Sequence, residues 1–189
     1  MAVKEARKLP RVAIVGRPNV GKSTLFNRLL GKRRAIVYVD SGTTRDVIEE
    51  TIAWNGRKFL LADTGGMRFE KETPLQAEIE RQVERAVFRS DMILWVVDGA
   101  AGPHALDERL GERLRPVEDR TILVVNKIDD RSQEPNISEF YRLGFGRVFP
   151  VSALHGHGTG DLLDRLTSEM PFVEDERRAL FTVVIVGEP

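Results

Sequence analysis

An apolar run at positions 12–15 leads directly into the segment G-R-P-N-V-G-K-S at positions 16–23, and a helical pattern follows it. The segment is a complete G-x-x-x-x-G-K-[ST] phosphate-binding loop in the strand-to-helix setting that this motif needs. A glycine-rich turn that matched the motif by accident would not be expected between a buried strand and an amphipathic helix. The motif constrains the fold strongly, because it requires a buried strand to end where an amphipathic helix begins.

Apolar runs recur along the chain at intervals that indicate an α/β fold. Five runs rich in Val, Ile and Leu lie at 12–15, 59–62, 93–97, 121–125 and 148–151. Stretches with helical spacing separate them, which predicts a mostly parallel sheet with crossover helices. The predicted helices are 22–30, 74–88, 105–114, 138–143 and 160–169. We expect the three-layer architecture of a P-loop NTPase, with helices on both faces of the sheet.

One segment breaks the parallel pattern. Positions 46–54 alternate apolar and polar residues, and Asn55-Gly56 then leads into the run that starts at Phe59. An Asn-Gly pair between two such runs is typical of a tight β-hairpin. The sequence therefore predicts one antiparallel edge strand.

Length and composition bound the remaining possibilities. The 189 residues suit one α/β domain, which we expect at 11–171, with an N-terminal tail at 1–10. Lys plus Arg and Asp plus Glu total 29 each, so no overall basic charge argues for wrapping nucleic acid. Without cysteine, disulfides and thiolate metal sites are excluded. With neither a signal peptide nor a bilayer-length apolar run visible, we expect a cytoplasmic, monomeric domain that does not bind membranes.

The phosphate loop assigns a role to each of its residues. Gly16 and Gly21 permit backbone shapes that turn successive N–H groups toward the α- and β-phosphates. Lys22 is expected to reach the β- and γ-phosphates, and Ser23 to offer its hydroxyl to Mg²⁺. The remaining predicted nucleotide-binding residues of the loop are Asn19, Val20 and Thr24.

The second apolar run ends on an acidic residue. The run at 59–62 ends on D-T-G-G, so Asp63 can hold magnesium and the Gly66 N–H can approach a γ-phosphate. The polar loop between the two motifs carries Thr43 and Thr44, and one of these hydroxyls is expected to close over Mg²⁺. The predicted catalytic residues are Lys22, Thr44 and Gly66, and the predicted magnesium ligands are Ser23, Thr44 and Asp63.

The segments after the fourth and fifth apolar runs predict a guanine site. N-K-I-D at 126–129 follows the run at 121–125, and the Asp129 carboxylate can accept hydrogen bonds from the guanine N1–H and N2 amine. Lys127 is expected to stack its stem on the base, and Asn126 to tie this segment to the phosphate loop. Adenine offers no such amine, so the carboxylate selects guanine. S-A-L at 152–154 completes the predicted set with Ser152, Ala153 and Leu154, and the Ala153 N–H is expected to donate to guanine O6.

These motifs, in this order and spacing, resemble the Era-type (TrmE-Era-EngA) GTPase family across essentially the whole chain. The segments G-R-P-N-V-G-K-S-T-L-F-N at 16–27 and S-A-L-H-G-H-G at 152–158 look most like the first G domain of members with two tandem G domains. V-V-I-V-G-E-P at 183–189 is similar to the opening of another strand and phosphate loop. We therefore expect 172–189 to hold a linker and the truncated start of a second G domain.

The resemblance implies a Mg²⁺-dependent GTPase that switches conformation on hydrolysis. It favours Thr44 over Thr43 as the magnesium ligand, and it places Met67 where Ras-like proteins carry a catalytic Gln. Related members with Asn at the matching loop position bind a monovalent cation there, which makes Asn19 the expected K⁺ ligand. It further implies a role in large ribosomal subunit biogenesis, with contacts to the subunit's RNA that depend partly on a KH-like domain absent from this sequence.

Other interpretations stay open at this stage. A P-loop ATPase or kinase would use the N-K-I-D segment differently, and a module that holds nucleotide without hydrolysis fits the absence of a glutamine at Met67. Arg17, Arg45 or Arg68 could act as an arginine finger, although a surface cation is the commoner role. His155 and His157 read as polar loop residues, and His104 reads as a helix start.

Overall fold

The computed structural model of the protein describes residues 9–31, 48–63 and 75–170. This part of the chain contains six strands and four α-helices. The strands are β1 (Arg11–Val15), β2 (Ile48–Trp54), β3 (Arg57–Asp63), β4 (Met92–Asp98), β5 (Thr121–Asn126) and β6 (Val148–Pro150). The α-helices are α1 (Lys22–Gly31), α2 (Leu75–Arg89), α3 (Ala105–Leu114) and α4 (Thr159–Glu169).

The strands form one sheet in the order β2-β3-β1-β4-β5-β6. Every pairing is parallel except that of β2 with β3, which is antiparallel. The hairpin turns at Asn55 and Gly56, whose φ angles of 47° and 76° are those of a type I′ turn. The predicted parallel sheet with an antiparallel edge strand is confirmed.

Two apolar layers cover the sheet. On one face, Leu25 and Leu29 of α1 pack with Leu162 and Leu166 of α4. On the other face, Val83 of α2 and Leu110 of α3 pack with the odd-numbered residues of β4. Because strand side chains alternate between faces, β4 is buried along its full length and contributes to both layers. The predicted three-layer architecture is confirmed.

Two short helices differ from the sequence expectation. The segment predicted as a helix at 138–143 belongs to a longer 3₁₀ helix, Arg131–Leu143, and a 3₁₀ helix at Arg115–Arg120 was not predicted. Pro116 and Pro135 lie within these segments. Since proline has no backbone N–H to donate, it interrupts the regular α-helical pattern. Neither segment contributes to the sheet edge where the strand-end motifs meet.

Some predictions fall on residues that the structure does not describe. These are the tail before position 9, the segment 171–189, and the segments 32–47 and 64–74, which contain Thr43, Thr44, Arg45, Gly66, Met67 and Arg68. Within the three described ranges, no helix is both long and apolar enough to cross a membrane.

Candidate functional site

The phosphate loop connects β1 to α1 through backbone shapes that require glycine at two points. Gly16 has φ 148°, and a Cβ there would lie 2.3 Å from the Val96 carbonyl oxygen. Gly21 has φ 95°, and a Cβ there would lie 2.3 Å from Asn126 Nδ2. Asn19, at the exposed turn of the loop, adopts φ 64°, a left-handed conformation that asparagine tolerates better than most residues. The loop therefore fits closely against β4 and the end of β5.

Lys22 folds back over the loop from the first turn of α1. Its Nζ donates to the carbonyl oxygens of Gly16 and Arg17, at 2.9 Å each. Burial lowers the pKa of the Lys22 ammonium, because desolvation outweighs the opposing attraction of Asp63, and the nearby Arg17 charge lowers it further. The lysine is thus a buried cation at the centre of the loop, in a setting that an anion would stabilise.

Ser23 and Asp63 bring two oxygen atoms together beside this lysine. Ser23 Oγ donates to Asp63 Oδ2 at 3.0 Å, and Asp63 is almost fully buried at the carboxyl end of β3. A hydroxyl and a carboxylate are ligands that suit Mg²⁺, so this pair fits the predicted magnesium role. Across the described ranges, no group of three or more His, Asp or Glu side chains is arranged to hold a metal ion. Further ligands would therefore have to come from phosphate oxygens, water or undescribed residues.

Asn126 joins the phosphate loop to both base-reading segments. Its Nδ2 donates to the Val20 carbonyl at 2.8 Å, and its Oδ1 accepts from the Ala153 N–H at 2.9 Å. The predicted tie between Asn126 and the phosphate loop is present. The bond from Ala153 has a further consequence, because its N–H is already engaged by the Asn126 amide. Donation to guanine O6 would require that N–H to be shared or exchanged.

Asp129 and Ser152 lie together on the loops that follow β5 and β6. Ser152 Oγ donates to Asp129 Oδ1 and accepts from the His155 N–H at 3.0 Å. Ser152 is fully buried, whereas Asp129 is exposed. The serine thus holds one carboxylate oxygen in place on the protein side. This arrangement gives Ser152 a concrete role in orienting Asp129.

The side chain of Lys127 is held by a residue that the sequence analysis did not single out. Lys127 Nζ lies 2.6 Å from Asp98 Oδ2. Asp98 is the last residue of β4 and is mostly buried. Burial alone would raise the pKa of its carboxyl group, but hydrogen bonds from Lys127 and from the Ala101 and Ala100 N–H groups prevail and lower it. Asp98 is therefore a stable anion beside the lysine.

Arg28, on the last turns of α1, braces the S-A-L segment. Its Nε donates to the Ala153 carbonyl at 2.8 Å, and its Nη2 donates to the Leu154 carbonyl. A shallow depression beside this brace is lined by Thr24, Asn27, Arg28, Gly31 and Ala153. The helix that begins at the phosphate loop thus also supports the segment expected to contact the base.

Arg17 makes a structural contact rather than presenting its charge to the loop interior. Its Nε lies 3.3 Å from Asp107 Oδ2 in the first turn of α3. The same oxygen accepts the His104 N–H at 3.0 Å, and His104 caps the helix as the sequence predicts. Within the described ranges, Asp107 Oδ1 is buried without a hydrogen-bond partner. The geometry therefore favours an anchoring role for Arg17 over an arginine finger.

The structure brings the predicted phosphate, magnesium and base residues to one edge of the sheet. Gly16, Gly21, Lys22, Ser23, Asp63, Asn126, Lys127, Asp129, Ser152 and Ala153 all lie on or directly after the carboxyl ends of β1, β3, β5 and β6. Val20 is fully buried in the core, so only its backbone can face a ligand. Leu154 is 61% exposed and is braced by Arg28. Thr44 and Gly66 lie outside the described residues.

Three residues that position this site were missed. Asp98 follows an apolar run in the same way as Asp63, so the strand-end rule contained a signal for it. Arg28 and Asp107 lie within helices, and their contacts join residues 125 and 90 positions apart in the chain. Helical periodicity reports which face of a helix is buried, and it does not report such long-range partners.

We expect Asp107→Asn to flatten part of the pH dependence of stability. Burial raises the pKa of the Asp107 carboxyl group above 3.8, despite opposing contacts from the His104 N–H and Arg17. The folded state then binds this proton more tightly than the unfolded state. Stability should therefore fall as the pH rises from about 4 through the folded pKa.

Chemical denaturation between pH 4 and pH 7 measures this effect. The variant should gain stability relative to wild type as the pH rises through that window. Asp119→Asn, which changes an exposed aspartate, is the matched control. Parallel stability curves for wild type and Asp107→Asn would contradict the expectation.

Comparison of the sequence with known proteins shows which family the chain resembles. The profile of the family described as 50S ribosome-binding GTPase matches residues 11–127. The chain is 51% identical over 156 residues to GTPase Der of Aquifex aeolicus (strain VF5), a match that covers 82% of this chain and 36% of that protein. It is 47% identical over 190 residues to GTPase Der of Thermomicrobium roseum (strain ATCC 27502 / DSM 5159 / P-2), covering 96% and 41%.

A solved structure shares the fold. The crystal structure of Era in complex with MgGDPNP and nucleotides 1506–1542 of 16S ribosomal RNA superposes with a TM-score of 0.70 at 30% identity, covering 89% of this chain and 59% of that one. The chain spans about two fifths of the length of the Der relatives, which corresponds to a single G domain. Because the family profile covers more than half of the 189 residues, the chain belongs to the family of 50S ribosome-binding GTPases.

Proposed function

We propose that this chain binds GTP and hydrolyses it to GDP and phosphate, and that the hydrolysis acts as a conformational switch. The observation that carries the proposal is the pair of bonds made by Asn126, which connect the phosphate loop at Val20 with the S-A-L segment at Ala153. One buried amide thus couples a phosphate cradle to a base-reading site. Membership of a GTPase family supports the same conclusion.

Asp129 would select guanine at the base end. Its Oδ1 is engaged by Ser152, and the exposed carboxylate can accept from the N1–H and N2 amine of guanine. If ATP bound here, the Asp129 carboxylate would face an adenine ring nitrogen that is itself a hydrogen-bond acceptor. That mismatch argues against the ATP-dependent alternative. Nucleotide competition between GTP and ATP tests the choice directly.

Lys22 and the loop amides would hold the phosphates. The Lys22 ammonium is buried and presently satisfied by two carbonyl oxygens, so an incoming phosphate would exchange those bonds for a charge-assisted contact. Magnesium, with Ser23 and Asp63 as its protein ligands, would neutralise charge on the phosphate oxygens. Thr44 and Gly66 are proposed to complete the γ-phosphate side, Thr44 as a further magnesium ligand and Gly66 through its N–H.

We extend the proposal to potassium. Asn19 stands exposed at the turn of the phosphate loop, and its left-handed backbone leaves the side-chain amide outside the core. An amide oxygen there suits a monovalent cation, whose charge would lie where an arginine finger acts in other GTPases. The ion pair between Arg17 and Asp107 supports a cation in this role. Of the three candidate arginine fingers, Arg17 is the one within the described residues, and its side chain already has this partner.

At the level of the cell, we propose that this G domain serves large ribosomal subunit biogenesis. The matched family is described as 50S ribosome-binding, which supports the large subunit as the partner. The Era structure contains a fragment of 16S ribosomal RNA, which belongs to the small subunit and supports only an association with ribosomal RNA in general. The proposed partners are therefore GTP or GDP at the site and, through the longer protein, the large subunit and its RNA. The assignment to the first of two G domains rests on the segments at 16–27 and 152–158, and the similarity to GTPase Der supports the family.

A second candidate function is nucleotide binding without turnover. It is favoured by Met67, which stands directly after D-T-G-G and cannot orient a water molecule through a side-chain hydrogen bond. Single-turnover hydrolysis of GTP in the presence of Mg²⁺ separates the two. Release of phosphate at a measurable rate supports the switch, and stoichiometric GTP binding without phosphate release supports the alternative.

We expect Lys22→Ala to lower GTP turnover by at least about 10²-fold, since it removes a preorganised cation from the transferring phosphate. The fold should persist, because the ammonium donates to loop carbonyls and its burial as a charged group is itself unfavourable. Phosphate release and the thermal midpoint without nucleotide measure the two effects. A variant that loses its cooperative unfolding transition would show that Lys22 is needed for folding instead.

Asp129→Asn should exchange guanine for xanthine nucleotides. The asparagine Oδ1 can still accept from Ser152, while its amide can donate to the carbonyl that xanthine carries in place of the N2 amine. The loss in GTP affinity should be large, up to the order of 10⁴-fold, because the base would meet an unmatched donor. Competition binding with GDP and xanthosine diphosphate checks this, and unchanged GDP affinity would refute the base assignment.

Asn19→Ala should remove a stimulation of turnover that potassium gives and sodium does not. Sodium is smaller than potassium and needs shorter ligand distances. GDP affinity should be retained, since the guanine contacts and Lys22 lie elsewhere. Asn19→Asp keeps an oxygen ligand and is the matched control, which should still respond to potassium. Equal rates of wild type in the two salts would remove the support for a cation site.

A further inference from the structure

Asp98 divides its carboxylate between a turn and a lysine. Oδ1 accepts the N–H groups of Ala100 and Ala101 at 3.1 Å each, which closes the turn after β4. Oδ2 accepts Lys127 Nζ at 2.6 Å. Asp98 is 7% exposed and pairs in register with Asn126 of the neighbouring strand. One residue thus links the end of β4 to the base-reading segment.

Lys127 is consequently held at both ends. Its backbone adopts φ 67°, a conformation that a lysine rarely takes and that its surroundings must maintain. The flanking residues supply that restraint. The Asn126 side chain makes two hydrogen bonds, and the Ile128 N–H donates to the Val151 carbonyl at 3.1 Å. With Nζ fixed by Asp98, the aliphatic stem between the two anchors has little freedom left.

The charge state of the pair supports a lasting contact. The hydrogen bonds on Asp98 keep its carboxyl pKa below the ordinary value, so it stays an anion at neutral pH. The Lys127 side chain is 37% exposed, so water screens part of the attraction between the charges. The main effect of the contact is therefore to restrict the position of the lysine.

We propose that Asp98 is a positioning residue for nucleotide binding, which tethers the Lys127 ammonium so that the lysine stem is already placed to lie against the purine ring. The inference rests on the proposed guanine site. Ordering one long side chain on binding corresponds to about a two- to twelvefold change in affinity. Loss of the tether should therefore weaken nucleotide binding within that range, and only through the base.

Asp98→Asn separates the two duties of the carboxylate. Its amide oxygen can still accept the Ala100 and Ala101 N–H groups, while the negative charge on Oδ2 is lost. We expect GDP to bind about three- to tenfold more weakly by titration calorimetry. Pyrophosphate, which has no base, should bind the variant and wild type equally. Asp119→Asn, an equal change of charge at an exposed position, should leave both affinities unchanged.

Lys127→Met supplies the second arm, because it removes the ammonium and leaves Asp98 and its turn in place. This variant should reproduce the loss for GDP, and adding Asp98→Asn to it should cause no further loss. The proposal is overturned by unchanged GDP affinity in Asp98→Asn, by an equal loss for pyrophosphate, or by additive effects in the double variant. Failure of wild type to bind GDP would instead refute the guanine site itself.

Discussion

The buried amide of Asn126 is the contact on which the rest of the site depends. It bonds to Val20 in the phosphate loop and to Ala153 in the segment after β6, across 106 and 27 positions of the chain. A buried amide that loses one partner is left with an unsatisfied polar group, so each bond favours the arrangement that the other requires. The three loops consequently hold one relative arrangement, and Ser152, Arg28 and Asp98 each refine it from a different element.

The buried charged groups Asp98, Asp107 and Lys22 differ in how far their surroundings stabilise the charged form. Asp98 is stabilised as an anion by donors on two sides, whereas Asp107 is destabilised by burial with only one of its oxygens bonded. Lys22 is destabilised as a cation. A phosphate ligand would relieve the lysine, while the two carboxylates have no place in direct contact with an anion. The destabilised Lys22 thus lies where the ligand charge is expected, whereas the destabilised Asp107 lies in the first turn of α3.

Most of the fold followed from the sequence, because apolar runs and the Asn55-Gly56 turn act locally. The placement of the predicted site residues at one edge followed as well, since parallel strands end at a common edge and Gly16, Asp63 and Asn126 each follow a run. The 3₁₀ helices did not, as prolines within them change the hydrogen-bond pattern without changing the apolar spacing. Arg28 and Asp107 could not be assigned from the sequence because their partners lie on other elements, whereas Asp98 carried a strand-end signal that was missed.

The close approach of Gly21 to Asn126 has a consequence for how such a domain can change over evolutionary time. A methyl group at position 21 would meet the very side chain that supports the base segments. The tolerated residues at position 21 therefore depend on the identity of position 126, although the two belong to different motifs. Substitutions at these two positions should therefore not be independent: the φ of 95° favours glycine at position 21 in any case, and the Asn126 side chain adds a steric reason that comes from a different motif.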